Sequence, residues 1–243
     1  MKLIKLNATE STNTYLKSLC VKKRLEDYTV VIADIQTKGR GQMGTHWHSE
    51  ANKNLTFSVF KDVSKLRIDE QFYISMAVAL GIIKALGELQ IPKLKIKWPN
   101  DILADNKKIA GILIENVIKT NAMIGSVIGI GLNVNQKFFE DLPNASSLHL
   151  ITGIVFDKDE VLHLVLTHIK RSLERLNKKD LLLLQSEYEE ALFRLKKPST
   201  FKTSNNLILM GFIEGVTEDG KLKLRLEDGV FNTYDLKEIQ LLY

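Results

Sequence analysis

Ala33-Asp34-Ile35-Gln36-Thr37-Lys38-Gly39-Arg40-Gly41-Gln42-Met43-Gly44-Thr45-His46-Trp47 sets three glycines around a single arginine. Without Cβ atoms the backbone there can come close to a ligand, and Arg40 fixes a planar positive charge in its midst, so the loop suits an anion. Gly39, Gly41 and Gly44 also satisfy the G-x-G-x-x-G spacing of dinucleotide folds. Such a loop has to run straight into an apolar-periodic helix. Here it is followed by Thr45-His46-Trp47-His48-Ser49-Glu50 and then by the strand-like Asn54-Leu55-Thr56-Phe57-Ser58-Val59-Phe60. A Walker loop fails as well, because Thr45 stands where its lysine is required.

The 243 residues, 44% of them hydrophobic, support a globular core. The single Cys20 excludes an internal disulfide and has no histidine or acid beside it, so it reads as a packing residue in a reducing compartment. The N-terminus lacks a leader pattern and no apolar run is read as a membrane span, which gives the expectation of a soluble, cytoplasmic protein with no membrane contact. The 34 basic residues exceed the 29 acidic ones, for a net charge of +5. That excess is scattered rather than gathered into a basic run interleaved with aromatics, so it reads as solvated surface and not as a nucleic-acid footprint. A basic rim would speed encounter with an acidic protein partner.

Outward from the loop, Thr29 to Ala33 is a β-branched run and Leu55 to Phe60 a second strand. Ser11 or Thr12 caps a short helix through Cys20. A core helix runs from Asp69 to about Leu89 and is stopped by Pro92. Lys95 to Trp98 reads as a strand entering the turn Pro99-Asn100-Asp101. Lys108–Glu115 and Ser126–Asn133, parted by a polar turn at Lys119-Thr120-Asn121, read as a meander. Asp157 with Glu160 forms a capping box for a helix through Leu176, and Leu181 to Lys196 reads as another helix. The break at Lys196-Lys197-Pro198 divides a unit of residues 1–196 from one of residues 197–243. In the second, Leu207–Val216, Gly220–Leu226 and Gly229–Phe231 are short strands parted by Glu-Asp-Gly turns, the pattern of a small β-barrel that must lean on its neighbour. The fold class is therefore α+β, a mixed sheet with packed helices followed by a small barrel.

Glu10-Ser11-Thr12-Asn13, the glycine loop, Lys97-Trp98-Pro99-Asn100-Asp101 and Lys107-Lys108-Ile109-Ala110-Gly111-Ile112-Leu113, in that order, resemble the catalytic domain of biotin-protein ligases. The resemblance implies a class II synthetase-like biotin/lipoate ligase fold with an SH3-like C-terminal barrel. It also implies ATP-dependent adenylation of biotin and transfer of the biotinyl group to a lysine of a biotin carboxyl carrier protein or domain. On that basis Arg40 would bridge the biotin carboxylate and the phosphate, with Gly39, Gly41, Gln42 and Gly44 shaping the loop and Lys108 as second cation beside Gly111. Ser11, Thr12, Asn13 and Gln36 would satisfy the ureido ring, and Trp47 would cover the ligand. Asn100 and Asp101 would meet the phosphates, Asp101 reaching a phosphate-bound Mg²⁺ and the incoming amine. Gly129, Gly131 and Asn133 would receive the adenine.

Gln42 and Met43 replace arginines of the more basic loop of many relatives, which reduces positive charge near the adenylate. The C-terminus lacks a basic residue that some relatives use to reach ATP, leaving Lys237 as a substitute. His46-x-His48 lacks a third ligand for a metal. Because Ser11 lies so near the N-terminus, the expected type is monofunctional, without an N-terminal DNA-binding domain and without specific DNA binding; a homodimer is compatible with the sequence. The alternatives are a lipoate-protein ligase of the same superfamily or a non-catalytic biotin or nucleotide binder. Gln36 and the Ser-Thr-Asn cluster favour a polar bicyclic head over a dithiolane, and Arg40, Lys108 and Asp101 together favour catalysis.

Overall fold

A computed structural model describes residues 1–22, 24–119, 122–140, 142–177 and 180–243. The chain runs through β1 (Leu3–Thr9), α1 (Thr12–Lys22), β2 (Val30–Gln36), β3 (Leu55–Lys61), α2 (Phe72–Glu88), β4 (Leu94–Lys97), β5 (Asp101–Ala104), β6 (Lys107–Lys119) and β7 (Ala122–Leu132). It continues through α3 (Leu148–Thr152), α4 (Lys158–Asn177), α5 (Leu181–Glu190), β8 (Pro198–Thr203), β9 (Ile208–Val216), β10 (Leu222–Leu226), β11 (Phe231–Tyr234) and β12 (Ile239–Leu242). The glycine loop does lead from strand to strand, β2 pairing antiparallel with β3. The loop folds back on itself through Trp47 N–H to Gly39 O (3.0 Å) and Gly41 N–H to Thr45 O (2.7 Å).

The first seven strands form one mixed sheet in the order β1-β2-β3-β7-β6-β5-β4, parallel between β1 and β2 and antiparallel elsewhere. Both faces are covered. Leu16 of α1 packs with Val31, Phe60 and Val127 on one face. Val30, Val59 and Ile128, whose side chains alternate with these, join α2 and α4 in the main core on the other. Buried almost all round, α2 is apolar enough that Ile68–Glu88 has the length and composition of a membrane span. That overturns the expectation of no such run, and burial between the sheet and α4 accounts for it. The contact is close because Gly81 has no Cβ, which would stand 2.8 Å from Ile169 Cα.

Several elements differ from the sequence reading, among them α3 and β12, which it did not include. β1 is a strand where none was expected, since its partner β2 lies beyond a helix. Asp101 opens β5 instead of ending a turn, and pairs with Gly111. β8 begins at Pro198, where the sequence was read only as a break between two units. α5 stops at Glu190 and not at Lys196, because Ile96 N–H bonds to Ala191 O (2.9 Å) and Phe193 N–H to Ile96 O (2.7 Å), drawing the chain out alongside β4. The expected turn at Thr120-Asn121 lies outside the described residues. Asp157 does cap α4, its carboxylate accepting from Glu160 N–H at 2.9 Å.

The last five strands form an antiparallel sheet in the order β11-β10-β9-β8-β12. The ladder is open at β11 and β12, so the expected closed barrel is not seen among the described residues. Val216, Leu222 and Leu224 share one core with α2. Trp98 Nε1–H donates to Gly220 O (2.9 Å), and Val216 N–H donates to Glu189 of α5 (2.9 Å). Gly220 has φ +93°, and a Cβ there would stand 2.3 Å from the Phe72 ring.

Candidate active site

A cleft of about 490 Å³ opens on the α1 face of the large sheet. Its polar end is built by α1 and β2. Thr12 and Asn13, both buried, meet Gln36 and the fully buried Ser58. Thr12 N–H donates to Gln36 Oε1 (2.8 Å), Ser58 Oγ lies 2.7 Å from Thr12 Oγ1 and 2.6 Å from Asn13 Oδ1, and Asn13 Nδ2–H donates to Glu115 (2.9 Å) and Leu113 O (3.2 Å). Ser58 has one proton, and Asn13 Oδ1 can only accept. The proton of Ser58 therefore goes to Asn13, and the single proton of Thr12, whose Oγ1 also lies 3.1 Å from Gln36 Oε1, goes to Ser58 at the shorter distance. The chain runs in one direction, from Thr12 to Ser58 to Asn13 to Glu115. Gly129 makes it fit, since a Cβ there would stand 2.4 Å from Asn13 Oδ1.

The charged end gathers cations from three elements. Arg40, in the glycine loop, donates through Nη2 to Glu115 Oε2 at 2.7 Å and keeps 43% of its side chain exposed. Lys108 of β6 pairs with Asp101 at 2.6 Å, and its Nζ stands 5.6 Å from the centroid of Trp47. Lys97, at the end of β4, is the third. Burial, its largest influence, holds its ammonium below the usual lysine range, with Lys108 adding to the shift and Asp101 opposing it. Its Nζ lies 4.7 Å over the ring of Tyr243. Burial pushes the Glu115 carboxyl up, but bonds from Lys17 and Asn13 and the charges of Arg40 and Lys17 outweigh it and leave the group below the usual carboxylate range.

Thr12, Asn13, Gln36, Arg40, Gly41, Gln42 and Trp47 line this cleft, with Asn100, Asp101, Lys108, Gly111, Gly129 and Gly131. Arg40 and Lys108 thus share one cavity. Four expected residues stand apart. Ser11 is buried behind the wall, its carbonyl accepting from Tyr15 N–H at 3.0 Å. Gly39 packs against the Trp47 carbonyl, and Gly44 turns the loop at φ +82°. Asn133 does not line the cleft; its Nδ2 donates to Ser146 O at 2.9 Å, tying the end of β7 to the segment before α3. Gly131 is covered by the Trp47 ring, 2.2 Å from where a Cβ would stand, so the glycine accommodates the tryptophan directly. Leu236 and Gln240, not Lys237, reach the cleft from the C-terminal sheet. His46 and His48 have ring centroids 6.1 Å apart, and no group of three metal-ligating side chains occurs among the described residues. Lys97, Ser58 and Glu115 were not anticipated.

The chain matches the sequence profile of the Biotin/lipoate A/B protein ligase family over residues 6–133, just over half its length. It is 29% identical over 240 residues to the bifunctional ligase/repressor BirA of Escherichia coli K12, covering 97% of this chain and 73% of that protein. It is 29% identical over 229 residues to the biotin--[acetyl-CoA-carboxylase] ligase of Paracoccus denitrificans, 90% of this chain and 92% of that one. Among solved structures, the biotin protein ligase of Aquifex aeolicus in complex with biotin and ATP superimposes with a TM-score of 0.82 at 28% identity, across 99% of this chain and 98% of that one.

Proposed function

This chain belongs to the biotin/lipoate A/B protein ligase family, and from that premise we propose that the cleft adenylates biotin with ATP and passes the biotinyl group to a lysine of a biotin carboxyl carrier domain. The observation that carries this reading is that Arg40 and Lys108, mounted on separate elements, line one cavity together with the buried Thr12 and Asn13 and with Gln36.

In the first step a carboxylate oxygen of biotin bonds to the α-phosphorus as the bond to the β-phosphate oxygen breaks and pyrophosphate leaves. In the second the lysine amine bonds to the acyl carbon, AMP departs and the amine loses a proton. No protein nucleophile is needed. The chain's task is to bring two anions together and to stabilise charge as it moves, which fixed cations in a partly desolvated site achieve. Arg40 offers its unused guanidinium donors to the biotin carboxylate and α-phosphate, Lys108 offers a point charge, and Lys97 deepens the positive field. At the other end, the Gln36 amide N–H₂ and the hydroxyl of Thr12 meet the ureido ring. Trp47 closes over the ligand with its apolar face.

Asp101 is the carboxylate lining the cleft and is already paired with Lys108. That donor set suits a Mg²⁺ carried in by the triphosphate, with most ligands from phosphate and water, and such an ion would neutralise phosphate charge. We take residues 197–243 as an SH3-like unit docked on a catalytic unit of residues 1–196, acting in the cytoplasm. The test is to mix the protein with ATP, Mg²⁺ and either biotin or lipoate and weigh the products. Biotinyl-AMP supports the reading; lipoyl-AMP alone, or no acyl-adenylate, overturns it.

A further inference from the structure

Glu115 stands beside the cleft, bonded to two of the residues that line it, Arg40 and Asn13. On β6, with its side chain only 18% exposed, it accepts three hydrogen bonds: Arg40 Nη2 (2.7 Å) and Asn13 Nδ2 (2.9 Å) on Oε2, and Lys17 Nζ (2.9 Å) on Oε1. Two come from α1 and one from the glycine loop, so one carboxylate on β6 bonds side chains from two other segments at once. The donor chain from Thr12 through Ser58 and Asn13 also ends on this group. The loop arginine is thereby joined to the buried amides through a single ionised side chain.

We propose that Glu115 is a positioning residue for the adenylation step, holding the Arg40 guanidinium over the cleft and coupling its placement to the Thr12-Ser58-Asn13 chain that holds the other end of the substrate. A mobile arginine loses side-chain entropy when it clasps an anion. One already held on an edge by a carboxylate has lost much of that freedom, and its remaining N–H donors stay free for the incoming anions. The carboxylate's own charge would repel the substrate if bare, but the flanking ammonium of Lys17 and the guanidinium offset it. This inference rests on the adenylation reading above.

The experiment is a double-mutant cycle on pyrophosphate exchange with biotin and ATP, using Glu115→Gln, Arg40→Ala and the double variant, with a thermal melt on each. Glu115→Gln is expected to lower kcat/KM on the order of tenfold, the scale of a hydrogen bond to a charged partner, and mostly by raising KM for biotin. In the Arg40→Ala background the same change is expected to cost under about twofold, because its effect passes through that arginine. A full loss in both backgrounds, or none in either, overturns the proposal. Should Glu115→Gln not fold, Glu115→Asp keeps the charge, withdraws it by one methylene and enters the same cycle with the same two outcomes. Failure of the wild-type protein to make any biotinyl-AMP would instead strike the adenylation reading itself.

Discussion

The two ends of the cleft are made differently. At the amide end, Thr12, Asn13 and Ser58 are buried and bonded to one another in a fixed direction. At the cation end, Arg40 and Lys108 lean on acidic partners and remain partly in solvent. A buried hydroxyl or amide that loses its partner cannot turn to water, so the first end is tied to stability. A part-exposed ion pair adds little to stability, so the second end is free to be spent on chemistry. On the proposed reading, recognition of the uncharged ring is built into the fold, and handling of the anions is laid over it.

The largest effect belongs to the cation end. Arg40→Ala or Lys108→Ala is expected to lower pyrophosphate exchange by roughly 10²-fold, the scale of one preorganised charge stabiliser. The melting temperature should barely move, and a large fall in it would erase the contrast. Next comes Ser58→Ala, which strips Asn13 Oδ1 of its donor and is expected to cost about 1–3 kcal/mol of stability. Calorimetry should record a fall of several degrees alongside a raised KM for biotin; an unchanged melt would mean that the amide end is not structural.

A smaller effect concerns pH. The Glu115 carboxyl lies below its ordinary range when folded, so the folded state binds fewer protons there than the unfolded one. The stability it contributes is full above about pH 4.3, the usual glutamate value, and is lost as pH falls through the lower folded value. Lys17, Arg40 and Asn13 are the groups that face it. Melts of the wild type and Glu115→Gln should therefore converge toward acid pH, and a gap that widens there would contradict the assignment. Smallest of all, Cys20→Ser should leave turnover intact and stability within about 0.5 kcal/mol, as for a half-exposed site outside the cleft. A large loss of turnover would point to a thiol in the reaction.

What was legible in the sequence was local. The glycine loop between two strands, the largely apolar α2 and the Asp157 cap each depend on neighbours a few residues away. Arg40, Lys108 and Asp101 were picked out because they sit inside motifs. Ser58 and Glu115 were missed because their meaning is long-range: Ser58 looks like one more polar position in an apolar strand until α1 folds onto it. Glu115 pairs with an arginine 75 positions earlier. A lone acid interrupting the apolar run of β6 was the one available signal. Lys97 stood in plain view in its motif, yet its partial burial beside Tyr243 depends on the C-terminal sheet. β1 and the early end of α5 were hidden for the same reason, each being decided by hydrogen bonds to a distant strand.

The bond from Trp98 to Gly220 gives the tail a hold on the cleft. Trp98 immediately precedes Pro99, Asn100 and Asp101, so whatever shifts the β9–β10 turn is passed to the wall of the cleft. Gly220 tolerates no side chain against Phe72. A shortened version ending near residue 197 would lose not an ornament but the brace of one wall of its cleft.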